Sequence, residues 1–480
     1  MQDKAFVRST MLPQQEPPLT ERGAVKWLRE NLFSSPLNTV LTLLGFAAVF
    51  LLVQSALPWW LNSVWNAASL KECREIVWAS AGPEATGACW ALIRERWHQF
   101  LFGFYPADLY WRPVLALGLL LISLAPVLYF GLRRANLSLV GTVSAVTLVA
   151  LALLDHNPAH LVAFAVVLGG LTALAWFAPR KLVVLTLVYP LLGFWLLWGG
   201  SVWGPVGVAM GFGLLVLVYM VAKRFVGVVV GTGVGVVVAG IWWLGVQTSV
   251  TTVLANAMPF GMPSVGSDEF GGFLLAFVIG VTAIGASLPI GILLALGRRS
   301  DMLLIKTLCV GFIEFVRGVP LITVLFTATL LLGYFLPPQS NFDVVLRVII
   351  LVTFFSAAYL AEVIRGGLAA LPKGQYEAAD ALGLDYWQAQ RLIVMPQALK
   401  VSIPGIVSTF IGLFKDTTLV AFVGLMDPLK GVTTIVRADT AWKGIYWEPY
   451  IFVGAIFFAV CFGMSRYSMY LEKKLKTDHR

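Results

Sequence analysis

Between Ile364 and Lys400 the sequence reads IRGGLAALPKGQYEAADALGLDYWQAQRLIVMPQALK. Apolar runs long enough to cross a bilayer flank it on both sides, yet the stretch itself is too polar to span one. Gln375 to Leu382 has the composition of a short helix, with small Ala378, Ala379 and Ala381. Gly383 follows, a residue that takes the left-handed conformation that stops a helix. Asp385 is then placed to cap a second helix. The pattern predicts a helix, a turn and a helix lying against one face of a membrane protein.

The rest of the chain supports that setting. Of 480 residues, 59% are hydrophobic and 12% charged, and the mean hydropathy is +0.83. A soluble domain carries about 25% charge, so most of this surface faces lipid, and the fold class is all-α integral membrane. The 17 Trp and 31 Phe suit the aromatic belts of membrane spans. A net charge of +9 raises the possibility of nucleic acid. The basic residues sit instead in short loops between apolar runs, which argues for the positive-inside bias and against a nucleic-acid partner. The first long apolar run, Thr39 to Pro58, has no small-residue cleavage site after it and is expected to stay as a span.

Runs of about 17 to 25 apolar residues predict about twelve spans. They are Thr39 to Pro58, Pro113 to Gly131, Leu137 to Leu154, Leu161 to Ala178, Leu182 to Trp198, Val202 to Val221, Phe225 to Val246, Gly271 to Leu296, a run ending at Leu336, Val344 to Val363, Val401 to Leu425, and Tyr450 to about Met464. Arg22, Lys26 and Arg29 precede the first span, and Arg133/Arg134, Arg180/Lys181, Lys223/Arg224 and Arg298/Arg299 follow the even-numbered ones. With Lys473, Lys474 and Lys476 in the tail, these charges put both termini in the cytoplasm. The ninth span either starts at Leu303, taking Glu314 and Arg317 into the membrane, or starts near Gly318 and leaves them at the interface, which is the preferred reading.

The loop from Leu61 to Arg112 is an exception, since it holds Lys71, Arg74, Arg94, Arg96 and Arg112. Its length is near the limit at which loop charge is informative, and Glu72, Glu75, Glu84 and Glu95 offset it, so it is placed outside. Cys73 and Cys89 then face an oxidising compartment and either pair as a disulfide or remain thiols. His156 and His160 flank Pro158 in a tight loop and are not read as a metal site. Spans before Gln247 carry almost no internal charge, whereas later ones carry Glu, Arg, Lys and Asp. Intramembrane charge is costly and usually functional, so the working half is the second.

The quoted stretch resembles the EAA loop of ABC-importer permeases: Glu-Ala-Ala, three residues, Gly, nine residues, Ile, one residue, Leu-Pro. Glu377, Ala378, Ala379, Gly383, Ile393 and Pro396 match, with Met395 in place of the usual Leu. The resemblance implies a last-five-helix core of the type I importer permease fold, coupled through this loop to a separate ATP-hydrolysing subunit. The chain has no GxxxxGK[ST] loop of its own, so no cofactor is expected in it, and ATP and Mg belong to the partner ATPase.

Three more segments resemble the polar-amino-acid branch of these permeases: IEFVRGVPLITVLF (Ile313 to Phe326), SAAYLAEVIRGGL (Ser356 to Leu368) and LFKDTTLVAFVGLMD (Leu413 to Asp427). Glu314 and Arg317 are three apart on one helical face, as are Glu362 and Arg365, so each pair can neutralise itself at the inner boundary. Packing and orientation are the plainer role for them. Lys415 and Asp416 lie inside a span, adjacent in sequence and about 100° apart round a helix. A zwitterionic amino acid needs one acidic and one basic contact, which these two supply, with Thr417, Thr418, Thr323, Tyr359 and Glu362 as further candidates for the path. The alternative is a structural charge network that keeps helices in register.

The first half resembles the larger membrane subunit of bacterial general L-amino acid importers, carried by NLFSSPLNTVLTLL (Asn31 to Leu44), the pattern around Cys73, GACW (Gly87 to Trp90) and FGFYP (Phe102 to Pro106). That implies a multi-pass protein of a bacterial inner membrane. The implied partners are a second, homologous permease forming a heterodimer, an ATP-binding subunit dimer and a periplasmic amino acid binding protein. On this reading residues 1–38 are a cytoplasmic segment and 39–246 a transmembrane extension with outer loop 61–112. Residues 247–270 are a periplasmic connection, 271–470 the permease core with cytoplasmic EAA loop 366–400, and 471–480 a cytoplasmic tail. Gly227, Gly231 and Gly235 at GxxxG spacing suit close helix contact, within the chain or with the partner permease. An ion-coupled secondary transporter is the competing function, although its spans are expected to form two similar halves.

Overall fold

The computed structural model describes residues 23–129, 131–155, 157–335 and 343–475. Arg22, His156, Leu336 and Lys476 lie outside the described residues. Two compact units emerge, one of residues up to Glu95 together with Ala441–Glu448, the other of Arg96–Thr440 with the residues from Pro449 on.

In the first unit, α1 (Gly23–Asn31) precedes α2 (Pro36–Leu61). Ser35 starts α2 by accepting the Asn38 N–H at 3.1 Å, and Pro36 occupies the first turn, where a missing N–H costs nothing. No residue of α2 is buried by the chain. The region 61–112, expected as a loop, contains α3 (Leu70–Ala81) and α4 (Ala91–Phe102). Cys73 and Cys89 are joined as a disulfide with Cα atoms 6.0 Å apart. Trp90 gathers Trp59, Trp60 and Trp65, with centroids 6.2, 5.3 and 5.7 Å from its own. The Cys89 N–H donates to Oε1 of the buried Glu448 at 2.7 Å, and the Trp442 indole donates to Oε2 of Glu95 at 3.1 Å.

The second unit opens with α5 (Trp111–Leu128), α6 (Arg133–Leu154), α7 (Pro158–Phe177) and α8 (Leu182–Trp198), where α5 packs on α6 and α8, and α6 on α7. Arg112, counted above as a loop charge, is in the first turn of α5 and only 1% exposed. Its burial is tolerated because Nη1 donates to the Pro263 carbonyl at 2.7 Å. Beside it, Tyr105 donates to the Leu197 carbonyl at 2.8 Å, and burial pushes its phenol up to about 12 against the opposing pull of Arg112.

After the short strand β1 (Gly200–Ser201), α9 (Trp203–Ile241) is broken at Gly227, whose φ of +80° only glycine adopts freely. The chain reverses there. A Cβ on Gly231 would meet the backbone of Lys223, and one on Gly235 the carbonyl of Leu215, so the glycine ladder serves packing within this hairpin.

The connection expected from Gln247 starts later. Trp242–Val246 form a π-turn and α10 (Gln247–Ala257) continues the span. Hydropathy counts its Thr residues as polar, but Thr251 and Thr252 donate to the Gln247 and Thr248 carbonyls at 2.9 and 2.8 Å, so their hydroxyls leave no unmet hydrogen bond in the membrane. Strand β2 (Gly261–Met262) then pairs antiparallel with β1.

The remaining helices are α11 (Gly272–Arg298), α12 (Leu303–Gly318), α13 (Leu321–Phe335), α14 (Val344–Ala369), α15 (Gly374–Ala381), α16 (Tyr386–Ala389), α17 (Met395–Asp416), α18 (Pro428–Ala438) and α19 (Trp447–Leu475). α12 and α13 meet at 101°, across Val319 and Pro320. Proline lacks the N–H that would continue the helix and disfavours helical backbone before it. The break leaves Glu314 and Arg317 on α12, and α13, with 15 residues, reaches the length of a span only together with α12. Among the described residues 11 helices are long and apolar enough to cross a membrane, or 12 when this bent pair counts as one span. One apolar cluster, including Leu115 and Ile122 of α5, Leu275 and Ile279 of α11, and Val348 and Val352 of α14, joins extension to core.

Candidate functional site

The helix-turn-helix element forms from signals local to it. At the end of α15 the Gly383 N–H reaches the Asp380 carbonyl at 2.9 Å and the Leu384 N–H the Ala379 carbonyl at 3.2 Å, with Gly383 at φ +68°. This is the Schellman arrangement that satisfies the last carbonyls of a helix. Two residues on, Asp385 and Gln388 form a reciprocal capping box, at 2.8 and 3.2 Å, that starts α16. A π-turn over Gln390–Val394 leads into α17, with Pro396 in its first turn, where no N–H is required.

Of the six matched residues, Glu377, Ala378, Gly383 and Pro396 are exposed, Ile393 is half-buried, and Ala379 is buried against the bundle. Around them Leu382, Tyr386, Trp387 and Leu392 are all more than half exposed. Apolar side chains gathered on a polar segment mark a contact surface. Sequence matching missed these four, although their departure from the polarity of their neighbours was visible.

The charged residues at the ends of α11, α12 and α14 assemble differently from their spacing. Glu314 does not pair with Arg317; its Oε1 accepts from Arg298 Nη1 at 2.8 Å. Arg298 Nη1 also reaches Glu362 Oε2 at 3.2 Å, as Arg317 Nη1 does at 3.5 Å, and Arg365 Nε donates to Glu362 Oε1 at 2.6 Å. Only the Glu362 and Arg365 pair expected from helical spacing is present. Glu362, a candidate for the substrate path, is instead enclosed by three arginines from three helices. The partners changed because helix packing brought Arg298 between the two carboxylates, a contact that spacing within one helix does not reveal.

Lys415 and Asp416 are in the last turn of α17, Lys415 exposed and Asp416 half-buried. Thr417 is fully buried and donates to the Phe414 carbonyl at 2.7 Å, so it does not face a path. Thr418 donates to the Lys415 carbonyl at 2.9 Å but remains half-exposed. Thr323 is exposed on α13, and Tyr359 on α14 lies under the Arg317 guanidinium, 5.7 Å from its ring centroid. A cavity of about 850 Å³ between α5, α6, α8, α11 and α14 is lined almost wholly by apolar side chains such as Leu117, Val146, Phe194 and Phe277. It offers a zwitterion no paired charges.

Residues 287–477 match the family described as binding-protein-dependent transport system inner membrane component. Across all 480 residues, and the whole of the relative, the chain is 60% identical to the glutamate/glutamine/aspartate/asparagine transport system permease protein BztC of Rhodobacter capsulatus. It is 35% identical, over 95% of its length and 94% of the relative, to the inner membrane amino-acid ABC transporter permease protein YhdY of Escherichia coli. A shorter relative, the probable amino-acid ABC transporter permease protein YckA of Bacillus subtilis, is 30% identical and matches 47% of this chain with 92% of its own. These relationships set aside the ion-coupled alternative, and the chain belongs to the multi-pass inner-membrane permeases of amino-acid ABC importers.

Proposed function

We propose that the chain is the larger permease subunit of an ATP-driven importer of acidic amino acids and their amides, paired with a second, homologous permease. The observation that carries this reading is the identity of 60% from end to end with a permease whose name specifies glutamate, glutamine, aspartate and asparagine. Membership of the family implies an ATP-binding subunit and a substrate-binding protein as partners, with ATP and Mg held on the former. Both termini and the EAA element face the cytoplasm in this reading, as the basic loops require. The exposed Leu382, Tyr386, Trp387 and Leu392 then meet the ATPase dimer, while the binding protein delivers substrate to the opposite face. Lys415 and Asp416 supply the charged contacts of the path, and Thr418 and Thr323 add polar ones.

Uptake of labelled glutamate, glutamine, aspartate and asparagine, in a strain deleted for the gene and complemented with it, tests the proposal. Uptake should return for these four, require the ATPase and binding protein, and persist when ion gradients are dissipated at constant ATP. Uptake that collapses with the ion gradient and ignores ATP would overturn it.

A further inference from the structure

Consecutive arginines at the end of α11 point to two different places. Arg299 turns to the EAA element, where its Nη1 donates to the Tyr376 hydroxyl at 3.0 Å and its guanidinium lies 5.5 Å from the centre of that ring. Tyr376 immediately precedes the matched Glu377. Arg298 turns the other way, to Glu314 and Glu362. Glu362 also binds Arg317, which covers the ring of Tyr359 one turn back along α14. Beneath these contacts Leu296, Ile313, Ile364 and Ala398, from α11, α12, α14 and α17, share one apolar cluster against which Tyr376 packs.

We propose that Arg299 and Glu362 are the positioning residues that carry movement of the EAA element into the membrane helices. Arg299 ties Tyr376 to α11, and Glu362 binds the inner ends of α11, α12 and α14 into one moving body. The inference rests on the proposed ATPase contact and deepens it.

Charge balance gives Glu362 this position. The cluster holds three arginines against two carboxylates, and only Glu362 touches guanidinium groups from all three helices. With the carboxylate neutralised, three positive charges face the single carboxylate of Glu314. Like charges at this range repel one another, so the three helix ends separate and the EAA element moves without them. Tyr359, the path candidate nearest to the cluster, then loses its connection to the ATPase.

The test uses the assembled transporter with its binding protein in proteoliposomes, measuring ATP hydrolysed and glutamate accumulated in the same preparation. Glu362→Gln should keep its ATPase subunits and lower uptake per ATP by roughly tenfold, within the range of ordinary coupling between sites. Glu362→Asp, which keeps the charge, should recover part of the loss. Arg299→Gln and Tyr376→Phe should each lower the ratio less, and the double variant should be no worse than Arg299→Gln alone, since both remove one contact. A fall of uptake and hydrolysis by the same factor, an unchanged ratio, or additive losses in the double variant would refute the relay. Absence of ATP-driven uptake in the wild type would refute the proposed function and the relay with it.

Discussion

Replacing Gly383 isolates the turn of the EAA element from everything around it. The residue is held at φ +68°, and nothing lies within 4 Å of where a Cβ would stand. A substitution there meets no clash, so its cost is that of the backbone conformation alone. For an ordinary L-residue this is about 1 to 2 kcal/mol, a factor of roughly 5 to 30 in the occupancy of the turn. Asparagine adopts the left-handed region far more readily than alanine, and a β-branched residue least of all. The expected order of function is therefore Gly, Asn, Ala, Val. The transporter, purified through a tag on this chain, should retain the ATPase subunit with an affinity about 5- to 30-fold weaker in Gly383→Ala, near wild type in Gly383→Asn and weakest in Gly383→Val. ATP-driven uptake should follow the same order while the chain stays inserted. Equal retention by the alanine and wild-type proteins, or an asparagine variant as damaged as the valine one, would show that the turn's conformation does not matter.

Asp416→Asn should lower uptake without loss of membrane insertion, because the half-buried carboxylate at the end of α17 is a charged contact of the proposed path; wild-type uptake at equal expression would remove it. Cys73→Ser should lower thermal stability measurably, since a closed loop of about 15 residues is worth roughly 3 kcal/mol; a melting temperature unaltered in the variant, and in wild type under reductant, would contradict this. Asp427 is fully buried and caps α18 by accepting the Leu429 and Lys430 N–H groups at 2.9 and 3.1 Å. Burial raises its carboxyl above the ordinary range despite those bonds. The folded chain therefore holds this proton more tightly than the unfolded one, and stability falls as pH rises from about 3.9 through the raised value. Asp427→Asn should flatten that slope in melting temperatures measured across pH; an identical slope would exclude Asp427 as its source.

What the sequence revealed was local. Gly383 and Asp385 announce their turn and cap because both act within a few residues, and the EAA spacing is fixed by that same short geometry. Partnerships set by packing were not. Spacing within α12 suggested Glu314 with Arg317, but Arg298 arrives from α11, 16 residues earlier in the chain. Arg112 looked like a solvated loop charge because its acceptor, the Pro263 carbonyl, is 151 residues away. At α10 the error had another cause: hydropathy scores a threonine by its hydroxyl and is blind to whether the preceding turn has already satisfied it.

The bond between the Cys89 N–H and Glu448 spans 359 residues of sequence. Synthesis at 5 to 20 residues per second separates the two by about 20 to 70 seconds. The disulfide, between cysteines 16 residues apart, can close early in that interval, but the buried N–H waits for the last helix to receive its acceptor. Assembly of this lobe is therefore ordered in time, and it is finished only after synthesis has passed Glu448. Premature termination before α19 leaves a cross-linked lobe with an unsatisfied donor, a chemical mark by which incomplete chains differ from finished ones.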